Sequence, residues 1–527
     1  MKRIYITLAV LLIGMIGMAY LYFSNLKSET SVNDLSLNAA TANSGIIFSF
    51  DNDKSFYEIL AGQELFQHIL GETKSRQLSA LRNNLVAHPA ITNLFSGQKI
   101  YISMQPNIND TVSFLISTQL KPNTALKSLL SILNSAKIKT NKIDNYYKIT
   151  FSDMSSFYIG IKDMLVVVSD VSTAVQYSLK QEKNTDQNFI NYIKANSRFN
   201  KNTLANLFID FNKLPILLKS ILNSNLNGEL SWFNKQNSFA ALSYNFSKEK
   251  LLFNGSTDVF DNNSYFKLFS NIPEQQLTIN NIIPEKAANY TIYAMADYND
   301  WRRELHNWMT ANKQEEKTNK LIANIKKKYG LDLNETFPKY FKNQLVTFQL
   351  QTGEKFGAIA LSNGEKVNQL LLDLSSEYAP AISIFKEEGI PYAYFGEPFK
   401  KFERPYYTII DNYLIMANNA SSIESFLNSY KNNSLLVNDT DYQNFNNQLS
   451  SSATISFYVN NKNSNDIFGR NLKSPFYKQY KSKSGFKDFD AFSYQLSGDK
   501  GKFLSNLLLH KKTETLLLAD TAKLVNN

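Results

Sequence analysis

Two stretches of this chain echo each other across almost half its length. Residues 157–177 (FYIGIKDMLVVVSDVSTAVQY) and 406–426 (YYTIIDNYLIMANNASSIESF) share a pattern at a spacing of 249 residues. An aromatic pair opens each, Leu165-Val166-Val167 meets Leu414-Ile415-Met416, and Ser172-Thr173 meets Ser421-Ser422. Residues 239–253 and 489–503 match at a spacing of 250, with Ala241, Ser243, Tyr244, Ser247, Lys250 and Phe253 each repeated identically. Leu207-Phe208-Ile209-Asp210 meets Phe457-Tyr458-Val459-Asn460, and 46–53 resembles 291–300. A spacing held nearly constant over so long a span is the signature of an internal repeat. It restricts the chain to two copies of one unit, residues 45–285 and 286–515, with a short tail at 516–527.

Each copy reads as strands and helices without regular βαβ alternation. An apolar alternation opens it (46–50; 290–295), and helical stretches follow. In the second copy Trp301, Leu305 and Trp308 recur at three- and four-residue spacing, one face of a helix. Paired strands come next (99–104 and 112–118; 343–350 and 356–361), then a helix near Thr124 or Glu365. A meander at 145–151, 156–161 and 164–169 has its last turn at Lys162-Asp163, or at Asp411-Asn412 in the second copy. Ser172 and Ser421 are suited to cap the helices after it. A hairpin at 237–246 and 250–257 closes the unit. This mixture implies an α+β fold: two tandem homologous units with largely antiparallel sheets and flanking helices.

The N-terminus adds a different constraint. Ile4 to Phe23 carries no charge over 20 residues, enough at 1.5 Å per residue to cross the hydrocarbon of a bilayer. Lys2 and Arg3 before it place the N-terminus in the cytoplasm and the bulk of the chain outside. Residues 1–23 therefore read as a single-pass signal-anchor in the cytoplasmic membrane. A cleaved signal peptide and a secreted product are the alternative, although Tyr20-Leu21-Tyr22-Phe23 is a poor cleavage site and Ala40-Thr41-Ala42 lies far downstream. Residues 24–44 are polar, small and aperiodic, and read as a flexible tether.

The soluble part contains a strand of type Leu-Val-Val-x-Ser (Leu165–Ser169), a helix begun by Ser172, the segment Asp186-Gln187-Asn188-Phe189 and the strand Phe208-Ile209-Asp210. With the single membrane segment, this layout resembles an uncharacterised group of bacterial single-pass envelope proteins with a duplicated domain of unknown function. Asn460 in place of Asp210 departs from that pattern in the second copy. The resemblance implies an envelope location and a repeated fold, and it lends no catalytic residues.

The residues narrow the chemistry further. The absence of cysteine excludes disulfides, thiolate metal sites and a cysteine nucleophile. His68, His88, His306 and His510 are scattered and lack metal-ligand spacing. No phosphate-binding loop, nucleophile elbow or His-Glu-x-x-His motif occurs. Ser-x-x-Lys at Ser247–Lys250 and Ser497–Lys500 falls where hairpin turns collect such residues. Asp51, Asp53, Asp297 and Asp300 lie where strand-end carboxylates cap the next helix. No catalytic, cofactor or metal residues are therefore expected. The net charge of +10 is spread thinly, which does not suit a nucleic-acid binder. One segment stands out. Residues 471–487 hold Lys473, Lys478, Lys481, Lys483 and Lys487 without an acid, interleaved with Phe476, Tyr477, Tyr480 and Phe486, whereas 221–237 has only Lys235 and Glu229. Lys473, Lys478, Tyr480, Lys481, Lys483 and Lys487 form a candidate surface for an anionic partner. The expectation is a non-enzymatic binding or scaffold protein contacting envelope proteins, anionic lipid or wall polymer. A lipid- or glycan-binding cleft between two lobes is the alternative, and a divergent hydrolase the remoter one.

Overall fold

A computed structural model describes residues 34–511, apart from 53–63, 87, 108–110, 122–125, 136–137, 181–186, 198–202, 225–228, 230, 232–235, 246, 248 and 483–484. The first half contributes ten strands to one sheet: β1 (Ile46–Asp51), β2 (Lys99–Pro106), β3 (Val112–Gln119), β4 (Lys139–Ile143), β5 (Tyr146–Thr150), β6 (Ser156–Lys162), β7 (Leu165–Ser169), β8 (Asn206–Asp210), β9 (Ser238–Asn245) and β10 (Lys250–Val259). The second half contributes ten more: β11 (Ala287–Ala294), β12 (Phe341–Leu350), β13 (Lys355–Leu361), β14 (Ser375–Ala379), β15 (Ile382–Phe385), β16 (Tyr406–Ile410), β17 (Tyr413–Ala417), β18 (Ile455–Asn460), β19 (Phe489–Asp499) and β20 (Lys502–Lys511).

All twenty strands pair antiparallel in a single sheet. From the outer edge inward, the first half runs β4, β5, β6, β7, β3, β2, β1, β8, β9, β10. The second half runs β14, β15, β16, β17, β13, β12, β11, β18, β19, β20. The order is the same, label for label, and β10 joins β20 from Lys250↔His510 to Thr257↔Phe503.

Helices cover both faces. In the first half these are α1 (Leu35–Thr41), α2 (Glu64–Leu81), α3 (Pro89–Phe95), α4 (Leu126–Ser135), α5 (Ser172–Lys180), α6 (Gln187–Ser197) and α7 (Leu214–Ile221). In the second they are α8 (Tyr298–Ala311), α9 (Glu315–Tyr329), α10 (Leu333–Thr336), α11 (Gly364–Leu371), α12 (Ile390–Phe395), α13 (Ala420–Lys431), α14 (Thr440–Asn446), α15 (Asn465–Asn471) and α16 (Ser474–Lys481). Strand residues alternate between faces. On one face Phe50, Leu242 and Phe253 share a core with Tyr293, Leu345, Phe457 and Leu509 under α7, α8 and α12. That core crosses the midline, so the halves are not separate lobes. On the other face Ile47, Phe208 and Phe239 pack against Phe189 and Ile193 of α6. In the second half Tyr290, Val346, Phe356 and Ile415 share a core with Ile423 and Phe426 of α13.

Three sequence readings need correction. The stretch 24–44 is not all tether: Asp34 caps α1 through the Leu37 amide, and Ser36, Leu37, Ala39, Ala40 and Thr41 are buried. These side chains are small, so their composition reads as linker while they fit closely against β2, β3 and β7. The last meander turn is Asp163-Met164, not Lys162-Asp163. Asp163 (φ 55°) and Asp411 (φ 49°) both hold the left-handed conformation that opens a two-residue hairpin turn. Lys162↔Leu165 therefore corresponds to Ile410↔Tyr413, one residue away from the sequence match. Correspondingly α5 starts at Ser172 and α13 at Ala420, with Asn419 rather than Ser421 at the cap. Third, the Phe211 amide donates to Ser238 O and the Asn461 amide to Asp490 O, which brings Phe239 level with Ala491 instead of Phe489. Residues 4–23 lie outside the described residues, and no described helix is long and apolar enough to cross a membrane.

Candidate functional site

The basic segment 471–487 folds as α16 and a following turn. A Pro at its N-terminal end suits α16 to begin there. Lys478 and Lys481 are exposed at helical i, i+3 spacing, and Lys487 is exposed on the next turn. Lys481 Nζ lies 5.0 Å from the centre of the Tyr477 ring, and Phe486 is 37% exposed beside this surface. Other members of the set have structural roles. Lys473 Nζ donates to Lys219 O (2.7 Å), and its amide donates to Ile221 O. Tyr480 is buried: its hydroxyl donates to Asn461 O (3.0 Å), and burial pushes its phenol up to about 12. Lys483 lies outside the described residues. The surface is therefore smaller than the sequence implied.

The other candidates resolve into turns and caps. Asp297 accepts from the amides of Asn299 (2.8 Å) and Asp300 (3.0 Å) and so caps α8. Asp51 is exposed at the end of β1, and Asp53 lies outside the described residues. Asp210 accepts from the Asn212 amide (2.9 Å), and Asn460 from the Asn463 amide (3.0 Å). Both close the turn after their strand, which explains why one can replace the other. Ser247 Oγ accepts from the Glu249 amide (3.3 Å), while Lys500 occupies a left-handed turn with Gly501. Of the histidines, His306 pairs with Glu315 at 3.4 Å, His510 with Asp490 at 3.0 Å, and His88 Nδ1 is buried without a partner among the described residues. The His68 side chain lies outside the described ones. Among the described residues no group of three His, Cys, Asp or Glu could hold a metal ion.

Two grooves run along either side of α8. The first, about 530 Å³, lies between α8 and the connection from the first half, lined by Asn262, Lys267, Asn271, Asp300, Glu304 and Asn307 over Trp301 and Trp308. The second, about 660 Å³, lies toward α9 and α12, with Arg302, His306, Asn319 and Asn334 in its walls. Arg302 is held in place: its guanidinium sits 4.0 Å from the Tyr394 ring centre and donates to Asn334 Oδ1 at 2.8 Å. Both indoles are buried, at 2% and 8% exposure, and Leu268, Ile272, Ala296 and Ala311 line the first groove beside its polar side chains. The helical pattern of Trp301 and Trp308 was legible in the sequence. Asn262 and Asn271 come from an irregular connection, and only the fold brings them opposite Glu304 and Asn307.

A buried charge also joins the halves. Glu229, 5% exposed in the connection between α7 and β9, pairs with Lys401 and accepts from Thr347 Oγ1 of β12. Burial, then the Lys401 charge, lower the pKa of nearby Lys355, while Glu229 acts in the opposite direction. Comparison of the chain with known protein families, characterised proteins and solved structures yields no match.

Proposed function

We propose that this chain is a membrane-anchored, extracytoplasmic binding or scaffold protein of a bacterial envelope, without catalytic activity. The observation that carries the reading is the uncharged segment Ile4–Phe23 behind Lys2 and Arg3, a length and polarity suited to one crossing with the bulk of the chain outside. A reporter fused after Asn527 that is active only outside the cytoplasm tests the topology. An active fusion is expected, and an inactive one overturns the reading. Mass spectrometry of the membrane-derived protein distinguishes a retained segment from cleavage.

The proposal includes an origin by internal duplication. The common strand order supports it, as do contacts that obey an approximate two-fold relation. Leu222 bridges Leu472, the Asn223 amide donates to Asn471 O, and the Lys473 amide donates reciprocally to Ile221 O. Such reciprocity is what an isologous interface produces.

Within this reading Lys478, Lys481 and Lys487, with Tyr477 and Phe486, are the contact surface for an anionic envelope partner. Each lysine near an anionic surface contributes on the order of 1 kcal/mol. Vesicles containing phosphatidylglycerol should bind the protein in a salt-sensitive manner. Gln at all three positions should weaken that binding, and equal binding by the variant removes the surface from the proposal.

A further inference from the structure

We propose that the groove between α8 and the inter-half connection binds a neutral polyhydroxylated ligand, of the oligosaccharide class. This deepens the binding-protein reading and does not depend on the membrane segment.

The argument begins with which groups in the groove are already engaged. Lys267 Nζ donates to Gly501 O (2.8 Å) and Val259 O (3.2 Å). Arg303 pairs with Asp300 at 2.6 Å, Asp297 caps α8, and Trp308 Nε1 donates to Asn263 O at 2.7 Å. The cations are thus committed, which argues against an anionic ligand. Asn262, Asn271, Asn307 and Glu304 line the same groove and are exposed. Unlike the groups above, their side chains form no hydrogen bond or ion pair among the described residues.

Three amides and one carboxylate make a specific offer. Each amide presents an acceptor and two donors in one plane, and the carboxylate accepts from two hydroxyls. Vicinal hydroxyls, each both donor and acceptor, match this set. A lone carboxylate is a poor basis for a cation site. A second observation concerns the floor. Trp301 lines the groove at 2% exposure, and its Nε1 is buried without a partner among the described residues. The volume of about 530 Å³ lies within the range of small-ligand sites.

The test uses the full-length protein in detergent on an array of neutral, anionic and cationic oligosaccharides, with titration of the best ligand by calorimetry. Binding to neutral glycans is expected. The paired change Glu304→Ala and Asn307→Ala should weaken it at least about tenfold, the consequence of losing two hydrogen bonds. Both positions are exposed, and an unchanged melting temperature verifies that the variant is folded. Binding to no glycan, binding confined to charged glycans, or binding unaffected by the paired change each overturns the proposal. The topology and vesicle experiments above are independent, so a failure here leaves the envelope reading intact.

Discussion

Ser103 pairs with Leu115 across β2 and β3, and Phe348 pairs with Phe356 across β12 and β13. The two pairs occupy matching places in the two halves, yet they fill space in opposite ways. In the second half the phenyl rings stack on each other, centroids 4.9 Å apart and planes within 5°, and Phe426 of α13 packs against both. In the first half α1 lies across the small residues instead. Ser117 Oγ donates to Ser36 O (2.8 Å), and the Ser36 amide donates to the Gln119 side chain (3.3 Å). A helix of small residues in one half does the filling that aromatic side chains do in the other. What the halves share is backbone pairing and enclosed volume, not side-chain identity.

This comparison can be broken by experiment. Phe356→Ala should cost about 3–5 kcal/mol, because the stacked partner and Phe426 cannot collapse into the space. Hydrogen exchange should then rise first in β12, β13 and β17. An equal rise in β2 and β3 would mean that the halves do not fill their cores independently. Leu37→Ala, in the fully buried position of α1, should cost about 2–3 kcal/mol and loosen β1 to β3 while β11 to β13 keep their protection. A neutral result would show α1 to be dispensable. Glu229→Ala should cost about 1–3 kcal/mol by leaving the half-buried Lys401 without its partner. Adding Lys401→Met should recover part of that loss, and its failure to do so would assign the cost to Thr347 instead. The smallest effect is acidic. The hydrogen-bonded Lys328 ammonium holds Glu387 below the usual carboxylate range, and Lys326 does the same for Asp332. A lowered folded-state pKa stabilises above the unfolded value, near 4, and that stabilisation fades as pH falls through the folded value. Both pairs are largely exposed, so the melting temperature should fall only slightly on this account between pH 6 and pH 3. Glu387→Gln should reduce that acid sensitivity, and an unchanged pH profile would exclude this pair as a source.

The same comparison shows what sequence reading could reach. The apolar runs located most strands within a few residues, although the last meander turn of the first half lies one residue beyond the Lys162-Asp163 reading. Register was lost where strands are buried on both faces. Leu165–Ser169 is buried at every position, so no alternation marks which side chains face α5. A one-residue slip there is invisible in sequence, although it turns every side chain to the other face. From β18 to β19 the span between paired residues is two residues longer than from β8 to β9, so Asn460 pairs with Ala491 where Asp210 pairs with Phe239. The identities of Ala241, Ser243 and Tyr244 with their apparent counterparts therefore join residues that do not occupy equivalent positions. The basic segment was found from composition, but which lysines stay free depends on helix phase and on Lys219 O, which no local pattern reveals.

The placement of β20 has a consequence for how the chain comes to be folded. The last described strand occupies the middle of the sheet, between β10 and β19. Until Lys502–Lys511 has left the ribosome, β10 presents an open edge, and a growing chain holds a bare template for pairing with any neighbour. Closure of the joint requires contact between residues some 250 positions apart, the kind of distant pairing that slows folding. A chain that stops before Lys502 does not merely lose its end. It leaves the molecule unsealed at its centre, so completion of Lys502–Lys511 decides whether the strands before it can close into one sheet.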